Sequence, residues 1–114
     1  MNSRISSVVL GAGLMGRLLA NALAQLGHQV TVHEAQGPDA VGAAARVAAA
    51  MLAPLAESAI TELPVVRMGQ HGLTRWPELI APLPTPVFFQ QNGTLVLWHR
   101  QDAAEAKRFA SILE

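Results

Sequence analysis

The sequence predicts an α/β fold that opens with a strand–helix–strand (βαβ) unit and continues into helices and the start of an antiparallel hairpin. Three observations predict it: a β-prone run that ends in a glycine-rich turn, a following stretch with helical periodicity, and an Asn-Gly pair between two apolar runs. The chain has 114 residues, of which 51% are hydrophobic. This is enough for the core of one small domain or for part of a larger one.

The composition excludes several classes of function. Eight basic and eight acidic residues cancel, so we expect no nucleic-acid partner and no anionic membrane surface as partner. The absence of cysteine excludes disulfides, thiolate metal sites and thiol nucleophiles. The two most apolar stretches are interrupted by Arg17 and Arg46, which argues against a membrane span. Because a membrane span is disfavoured, we predict a cytoplasmic protein. The four histidines lack the paired spacing of metal ligands, so we predict no metal site.

The βαβ unit is predicted element by element over the first part of the chain. Residues 5–10 form the first strand, which Gly11 ends. The predicted helix covers 14–26, with an apolar face made by Leu14, Leu18, Ala22 and Leu26. Residues 30–32 form the second strand, which should lie parallel to the first.

Three helices and a hairpin are predicted in the remainder. The alanine-rich segment 40–53 should be helical as far as Pro54, and another helix should begin near Pro64. Residues 87–91 and 94–99 flank Asn92-Gly93, which predicts an antiparallel hairpin. A final helix should follow Asp102. We place a nucleotide-binding unit at residues 1–60 and a second region at 61–114.

The motif that carries chemistry is the G-x-G-x-x-G sequence that joins the first strand to the first helix. Its residues are Gly11, Ala12, Gly13, Leu14, Met15 and Gly16. The first glycine permits the tight turn, the second lets a pyrophosphate approach the backbone, and the third lets the helix pack on the sheet. N–H groups of the first helical turn would then meet the phosphates.

Glu34 completes this Rossmann-type pattern, because it follows the second strand and lies 18 residues beyond Gly16. A carboxylate there accepts hydrogen bonds from the hydroxyls of an adenosine ribose and disfavours a 2′-phosphate. The pattern predicts a site for the ADP half of a dinucleotide and leaves FAD and NAD open. In the alternative interpretation, the glycines only pack and Glu34 is a solvated charge.

The segment Gly42–Pro54, which reads GAAARVAAAMLAP, favours FAD. It resembles the second flavin-contacting segment of the D-amino-acid oxidase (DAO-type) FAD-dependent oxidoreductases, in which a small-residue stretch ends in Gly-Met-Leu-Ala-Pro. Residues 73–79 and 92–97 are similar to a helix and a Gly-Thr-Leu strand of the same family. Within the family, the chain is most similar to the N-terminal third of the glycine-oxidase branch of the thiamine pathway.

The resemblance implies roles for particular residues. By family correspondence, Leu14 and Met15 would meet the pyrophosphate, and Glu34 and Ala35 the ribose. Further along the chain, the resemblance assigns the phosphates to Ala44 and Ala45 and the flavin side to Ala49, Ala50 and Met51. Arg46 either pairs with a phosphate in place of the missing hydroxyls or is an exposed charge. The chain departs from the family pattern at positions 44 and 45, which usually carry hydroxyls, and at Ala50, which replaces a usual glycine.

The resemblance also implies the reaction. An amine or amino-acid substrate would pass a hydride from its α-carbon to flavin N5, and oxygen would reoxidise the flavin with release of peroxide. The substrate-binding side chains of the family lie outside the segment that this chain resembles, so it implies no catalytic residue here. A second chain, or a second copy of this one, is the partner expected to complete the fold.

Two alternatives remain at this stage. The first is an NAD-linked dehydrogenase, because residues 11–16 and 30–34 also resemble the start of a hydroxyacyl-CoA dehydrogenase. Such a protein would continue into further parallel βα units after Glu34. The second is a truncated fragment that folds poorly and has no catalytic activity.

Overall fold

A computed structural model describes residues 4–113 of the chain. These residues fall into two compact units, the first ending at Met51 and the second beginning at Leu52. The boundary predicted at residue 60 lies within the second unit.

The first unit contains the predicted βαβ arrangement. Strand β1 (Ser6–Leu10) is followed by helix α1 (Leu14–Gln25) and strand β2 (Gln29–His33). The two strands pair in parallel, in a register that joins Ser6 to Gln29 and Leu10 to His33. Gly27, with φ +86°, provides the left-handed residue between α1 and β2. The parallel βαβ prediction is confirmed.

The turn between β1 and α1 is held close to both elements. The Gly11 N–H donates to the carbonyl of His33 at 2.8 Å, which extends the ladder by one bond. Gly11 has φ +93°, a conformation that favours glycine. A Cβ at Gly16 would overlap the Gly11 carbonyl oxygen, so the start of α1 approaches the turn more closely than a side chain would allow.

The buried face of α1 differs from the prediction. Leu14 and Leu26, predicted to be buried, are 44% and 76% exposed. The face turned towards the strands instead carries the half-buried residues Gly16, Ala20 and Leu23. The close approach at Gly16 selects this face, because small side chains at positions 16 and 20 let the helix backbone lie near the sheet.

The small sheet is covered on one side only. Val9 faces α1 and is 6% exposed, whereas Val8 and Leu10, which point the other way, are 62% and 82% exposed. Alternate residues of a strand point to opposite faces, and parallel sheets usually have both faces covered. The apolar run of β1 therefore has a covered and an open face.

The predicted helix over 40–53 is wrong. This segment forms turns and a single 3-10 helix at Ala44–Arg46. Ala40 and Ala50 have φ +45° and +57°, which is incompatible with a right-handed helix. Helix propensity is a weak preference that local contacts readily override, and here Ala40 is buried in its turn, 3% exposed.

The second unit contains the two predicted later helices. Helix α2 (Leu63–Ile80) has Pro64 in its first turn and buries Val66, and helix α3 (Ala103–Leu113) follows a 3-10 turn at Arg100–Asp102. Gly69 packs on Pro54, whose Cβ would lie 2.7 Å from a Cβ built at position 69. Position 69 therefore has no room for a side chain unless Pro54 moves.

The predicted antiparallel hairpin is wrong, because residues 87–99 form no strand. Gly93 keeps the left-handed conformation of a turn, with φ +79°. The flanking side chains are largely exposed, Phe88 at 86% and Leu95 at 82%. A two-stranded hairpin is marginal in water unless one face is buried, and here most side chains of both runs are exposed.

Between residues 4 and 113, none of the helices combines the length and the apolar character needed to cross a bilayer.

Candidate cofactor-binding site

An open cleft of about 280 Å³ lies in the first unit at the carboxyl ends of β1 and β2. Its walls come from the glycine turn, the end of β2 and the loop that follows β2. The lining residues are Gly13, Glu34, Ala35, Gln36, Gly42 and Ala43. This edge of a parallel sheet is where open α/β folds bind their ligands.

The space beside Gly13 is open enough to accept a Cβ without a clash. Gly13 has φ −64° and ψ 179°, an extended conformation available to any residue. The nearest atom to a Cβ built there is the Ala43 Cβ, at 3.9 Å. The absence of a side chain at Gly13 therefore leaves space in the cleft and is not required by the backbone conformation.

Helix α1 presents unpartnered N–H groups at this end. Its first helical hydrogen bond runs from the Arg17 N–H to the Gly13 carbonyl, at 3.0 Å, so the N–H groups of residues 14–16 have no acceptor within the helix. No side chain caps the helix at Gly13. Such an end favours an anion through its donors and its dipole.

The Glu34 carboxylate is turned towards the glycine turn. Its Oε2 accepts a hydrogen bond from the Ala12 N–H at 2.6 Å, and its Oε1 accepts one from the Gln36 N–H at 3.1 Å. These bonds, that of Ala12 first, lower the pKa of Glu34, and the positive charge of Arg17 makes a smaller contribution in the same direction. The carboxylate is therefore ionised at neutral pH and retains lone pairs for hydroxyl donors.

Only some of the predicted cofactor residues line the cleft. Gly13, Glu34 and Ala35 do so. The other members of the motif, Gly11, Ala12, Leu14, Met15 and Gly16, form the adjoining turn and the start of α1. Ala44 and Ala45 begin the 3-10 helix that follows the cleft wall. Ala49, Ala50 and Met51 lie further along the same unit and do not line the cleft.

The Arg46 side chain contacts the loop after β2, because its Nε donates to the carbonyl of Asp39 at 2.8 Å. Its contact with a phosphate stays a prediction.

The backbone conformation at Ala50 explains why a glycine suits this position. Its φ of +57° lies in the left-handed region, where glycine carries no steric penalty and alanine does. A glycine is the residue that this backbone conformation favours.

The sequence assigned no individual role to four residues of this region, although Gly42 and Ala43 lie in the predicted flavin-contacting segment. Gln36, Gly42 and Ala43 line the cleft, and Arg17 donates to the carbonyls of Ala12 and Pro38. The sequence Gln36-Gly37-Pro38-Asp39 indicated only a break after the βαβ unit, although a loop at the carboxyl end of β2 is a natural place for ligand contacts. Arg17 carried no such signal, because its partners are backbone carbonyls.

A family model described as FAD dependent oxidoreductase (DAO) matches residues 7–114. No curated protein and no solved structure matches. The family model covers the glycine turn, Glu34 and the cleft loop as well as the whole second unit. The chain therefore belongs to the DAO family of FAD-dependent oxidoreductases.

Proposed function

We propose that this chain binds FAD through its ADP half, in the cleft between the glycine turn and the loop after β2, and that it serves an amine or amino-acid oxidase of the glycine-oxidase type. The observation that carries the proposal is that the open backbone of Gly13 and the Glu34 carboxylate, which is bonded to the neighbouring Ala12 N–H, line the same cleft. The match to an FAD-dependent family favours FAD over NAD.

The residues of the cleft fit an ADP group. Pyrophosphate oxygens need donors, and the uncapped N–H groups at the start of α1 supply them. Ribose hydroxyls need an acceptor, and the ionised Glu34 carboxylate supplies one. A Cβ at Gly13 would project into the space that the pyrophosphate must approach.

The carboxylate also determines which nucleotide the cleft takes. Its charge is maintained by the N–H groups of Ala12 and Gln36, so a 2′-phosphate at the ribose would face a negative charge. We therefore expect FAD or ADP to bind better than a nucleotide with a 2′-phosphate.

FAD would supply the redox chemistry, accepting a hydride from the α-carbon of an amine. The part of this chain in that reaction is to hold and orient the cofactor. The substrate pocket belongs to residues beyond the first unit or to a partner chain, and the proposed substrate is a small amino acid.

Cofactor binding is tested by titrating FAD with the purified chain and following flavin fluorescence. ADP and FMN serve as competitors, since each carries one half of FAD. We expect ADP to displace FAD and FMN to have little effect. Displacement by FMN alone, or the absence of FAD binding, would contradict the proposed site.

The reaction class is tested by peroxide release from the FAD-loaded chain with glycine and with larger amino acids. Preferential turnover of glycine supports the glycine-oxidase assignment. Preference for a larger amino acid would move the chain to another branch of the family, and the absence of peroxide with every amine would restrict its role to cofactor binding.

A further inference from the structure

The loop after β2, residues 35–43, forms one wall of the cleft although it contains no helix or strand. Its two ends line the cleft through Ala35, Gln36, Gly42 and Ala43. Two turn hydrogen bonds lie between these ends, from the Ala40 N–H to the Gly37 carbonyl at 3.0 Å and from the Ala43 N–H to the Ala40 carbonyl at 2.9 Å.

Arg17 ties this loop to the glycine turn. Its Nε donates to the Ala12 carbonyl at 2.6 Å and its terminal nitrogen to the Pro38 carbonyl at 2.5 Å. Arg17 lies on α1, so one guanidinium joins the helix, the turn and the loop. A planar guanidinium presents several donors in a rigid fork, which suits two separate acceptors.

Arg46 is also bonded to this loop. Its Nε donates to the carbonyl of Asp39 at 2.8 Å. The acceptors of the two arginines, the carbonyls of Pro38 and Asp39, belong to consecutive residues, so both guanidinium groups act on one point of the loop.

The residue directly after this point is strained. Ala40 is 3% exposed and has φ +45°, a conformation that L-residues rarely adopt. Strained backbone persists where surrounding contacts determine it, and it is concentrated at sites that hold ligands. Here the contacts are the buried methyl group, the two turn hydrogen bonds and the arginine bonds to the two preceding residues.

We propose that Arg17 and Arg46 are positioning residues that hold the carbonyls of Pro38 and Asp39 and thereby keep the cleft wall in the conformation that receives the adenosine part of ADP. This inference rests on the proposed function for its ligand. The holding of the loop itself is independent of any ligand. In this role both arginines act through backbone carbonyls.

The ligand-free test is hydrogen exchange of the full chain, comparing wild type with Arg46→Gln and Arg17→Gln. We expect the amides of Ala40 and Ala43 to exchange at least about tenfold faster in both variants, because their turn loses its support. Amides in β1 and β2 should exchange as in wild type for Arg46→Gln. Unchanged exchange at Ala40 and Ala43 in Arg46→Gln would overturn the proposal.

The ligand test separates ADP from inorganic pyrophosphate, which lacks the adenosine part. For Arg46→Gln we expect the dissociation constant of ADP to rise about tenfold while that of pyrophosphate stays unchanged. Equal weakening of both ligands would indicate general loss of structure and would overturn the role as a positioning residue. If wild type binds no ADP, the proposed function fails, whereas the exchange experiment still tests the holding of the loop.

Conservative variants give a further discrimination. Lysine can donate to the single Asp39 carbonyl, so Arg46→Lys should restore ADP affinity to within about threefold of wild type. Arg17→Lys should not restore it, because an ammonium does not reproduce the guanidinium fork between two carbonyls. Arg67→Gln is the matched control: Arg67 is exposed on α2, and its side chain makes no hydrogen bond among the residues that the structure describes. Failure of Arg46→Lys to restore binding would contradict a role through the Asp39 carbonyl.

Discussion

The Cα of Gly16 lies so close to the carbonyl oxygen of Gly11 that a Cβ at position 16 would overlap this oxygen. Gly11 is itself held by the hydrogen bond from its N–H to the His33 carbonyl. Its φ of +93° favours glycine at this position. The turn therefore cannot move without disturbing the end of the parallel ladder. The contact joins the first and last glycines of the motif, and it determines how closely α1 approaches the sheet.

We expect Gly16→Ala to destabilise the first unit by about 1–3 kcal/mol, as for other insertions into tight packing. The reason is that the clashing atom belongs to the backbone and cannot rotate away. The change is measured by urea unfolding. Gly72→Ala is the control, because no atom lies within 4 Å of a Cβ at that helical position. The control should stabilise α2 by up to about 1 kcal/mol, and equal behaviour of the two variants would contradict the packing role of Gly16.

Gly13→Ala should separate folding from binding. The backbone of Gly13 is extended and the nearest atom to an added Cβ is 3.9 Å away, so the free energy of unfolding should change by less than about 1 kcal/mol. The methyl group would occupy the approach to the backbone, so the dissociation constants of FAD and ADP should rise at least about tenfold. Urea unfolding and flavin fluorescence give the two measurements. Unimpaired FAD binding by this variant would rule out a pyrophosphate beside Gly13.

Glu34 should make stability depend on pH. Its pKa is lowered in the folded chain by the N–H bonds from Ala12 and Gln36, so the unfolded chain takes up this proton first as the pH falls. The contribution of Glu34 is fully present above its ordinary value of 4.5 and is lost as the pH falls through the lowered value. Urea midpoints measured from pH 7 to pH 3 should therefore fall more steeply for wild type than for Glu34→Gln.

Glu57→Gln is the control for that experiment, because Glu57 is an exposed carboxylate of the second unit. Its urea midpoints should follow those of wild type throughout. At pH 7, Glu34→Gln should also weaken ADP binding by about tenfold, because a charged acceptor of the ribose hydroxyls is removed. Parallel pH profiles for wild type and Glu34→Gln would contradict the hydrogen-bonded carboxylate.

Ala50→Gly should stabilise the first unit. The left-handed φ of Ala50 costs about 1 kcal/mol for a residue with a Cβ, and glycine removes this cost. Thermal unfolding measures the gain. Ala49→Gly is the control, since position 49 has no positive φ and glycine there should be neutral or destabilising. Destabilisation by Ala50→Gly would contradict the observed conformation.

The parts of the site that could be predicted are those determined by short sequence patterns. The motif from Gly11 to Gly16 predicted the turn, the close helix and the open space, because each glycine has a local steric reason. Glu34 could be placed because it directly follows a strand whose register is set by the short βαβ connection.

The parts that could not be predicted depend on contacts between residues distant in sequence. The loop 35–43 contains the cleft residues Gln36, Gly42 and Ala43, and its shape depends on two arginines that bind backbone carbonyls. Backbone carbonyls are present at every residue, so no sequence pattern marks them as partners. Composition also wrongly indicated a helix from 40 to 53, because it does not show the distant contacts that determine this backbone.

By itself, the sequence determined the order of β1, α1 and β2, the glycine turn and the acidic end of the second strand, because local sterics and hydrophobic periodicity specify these features. The tertiary structure decided which face of α1 is buried, the path of the loop after β2 and the absence of a hairpin among residues 87–99. Each of these depends on whether a partner surface or a distant donor is present, and that is settled only when the whole chain has packed.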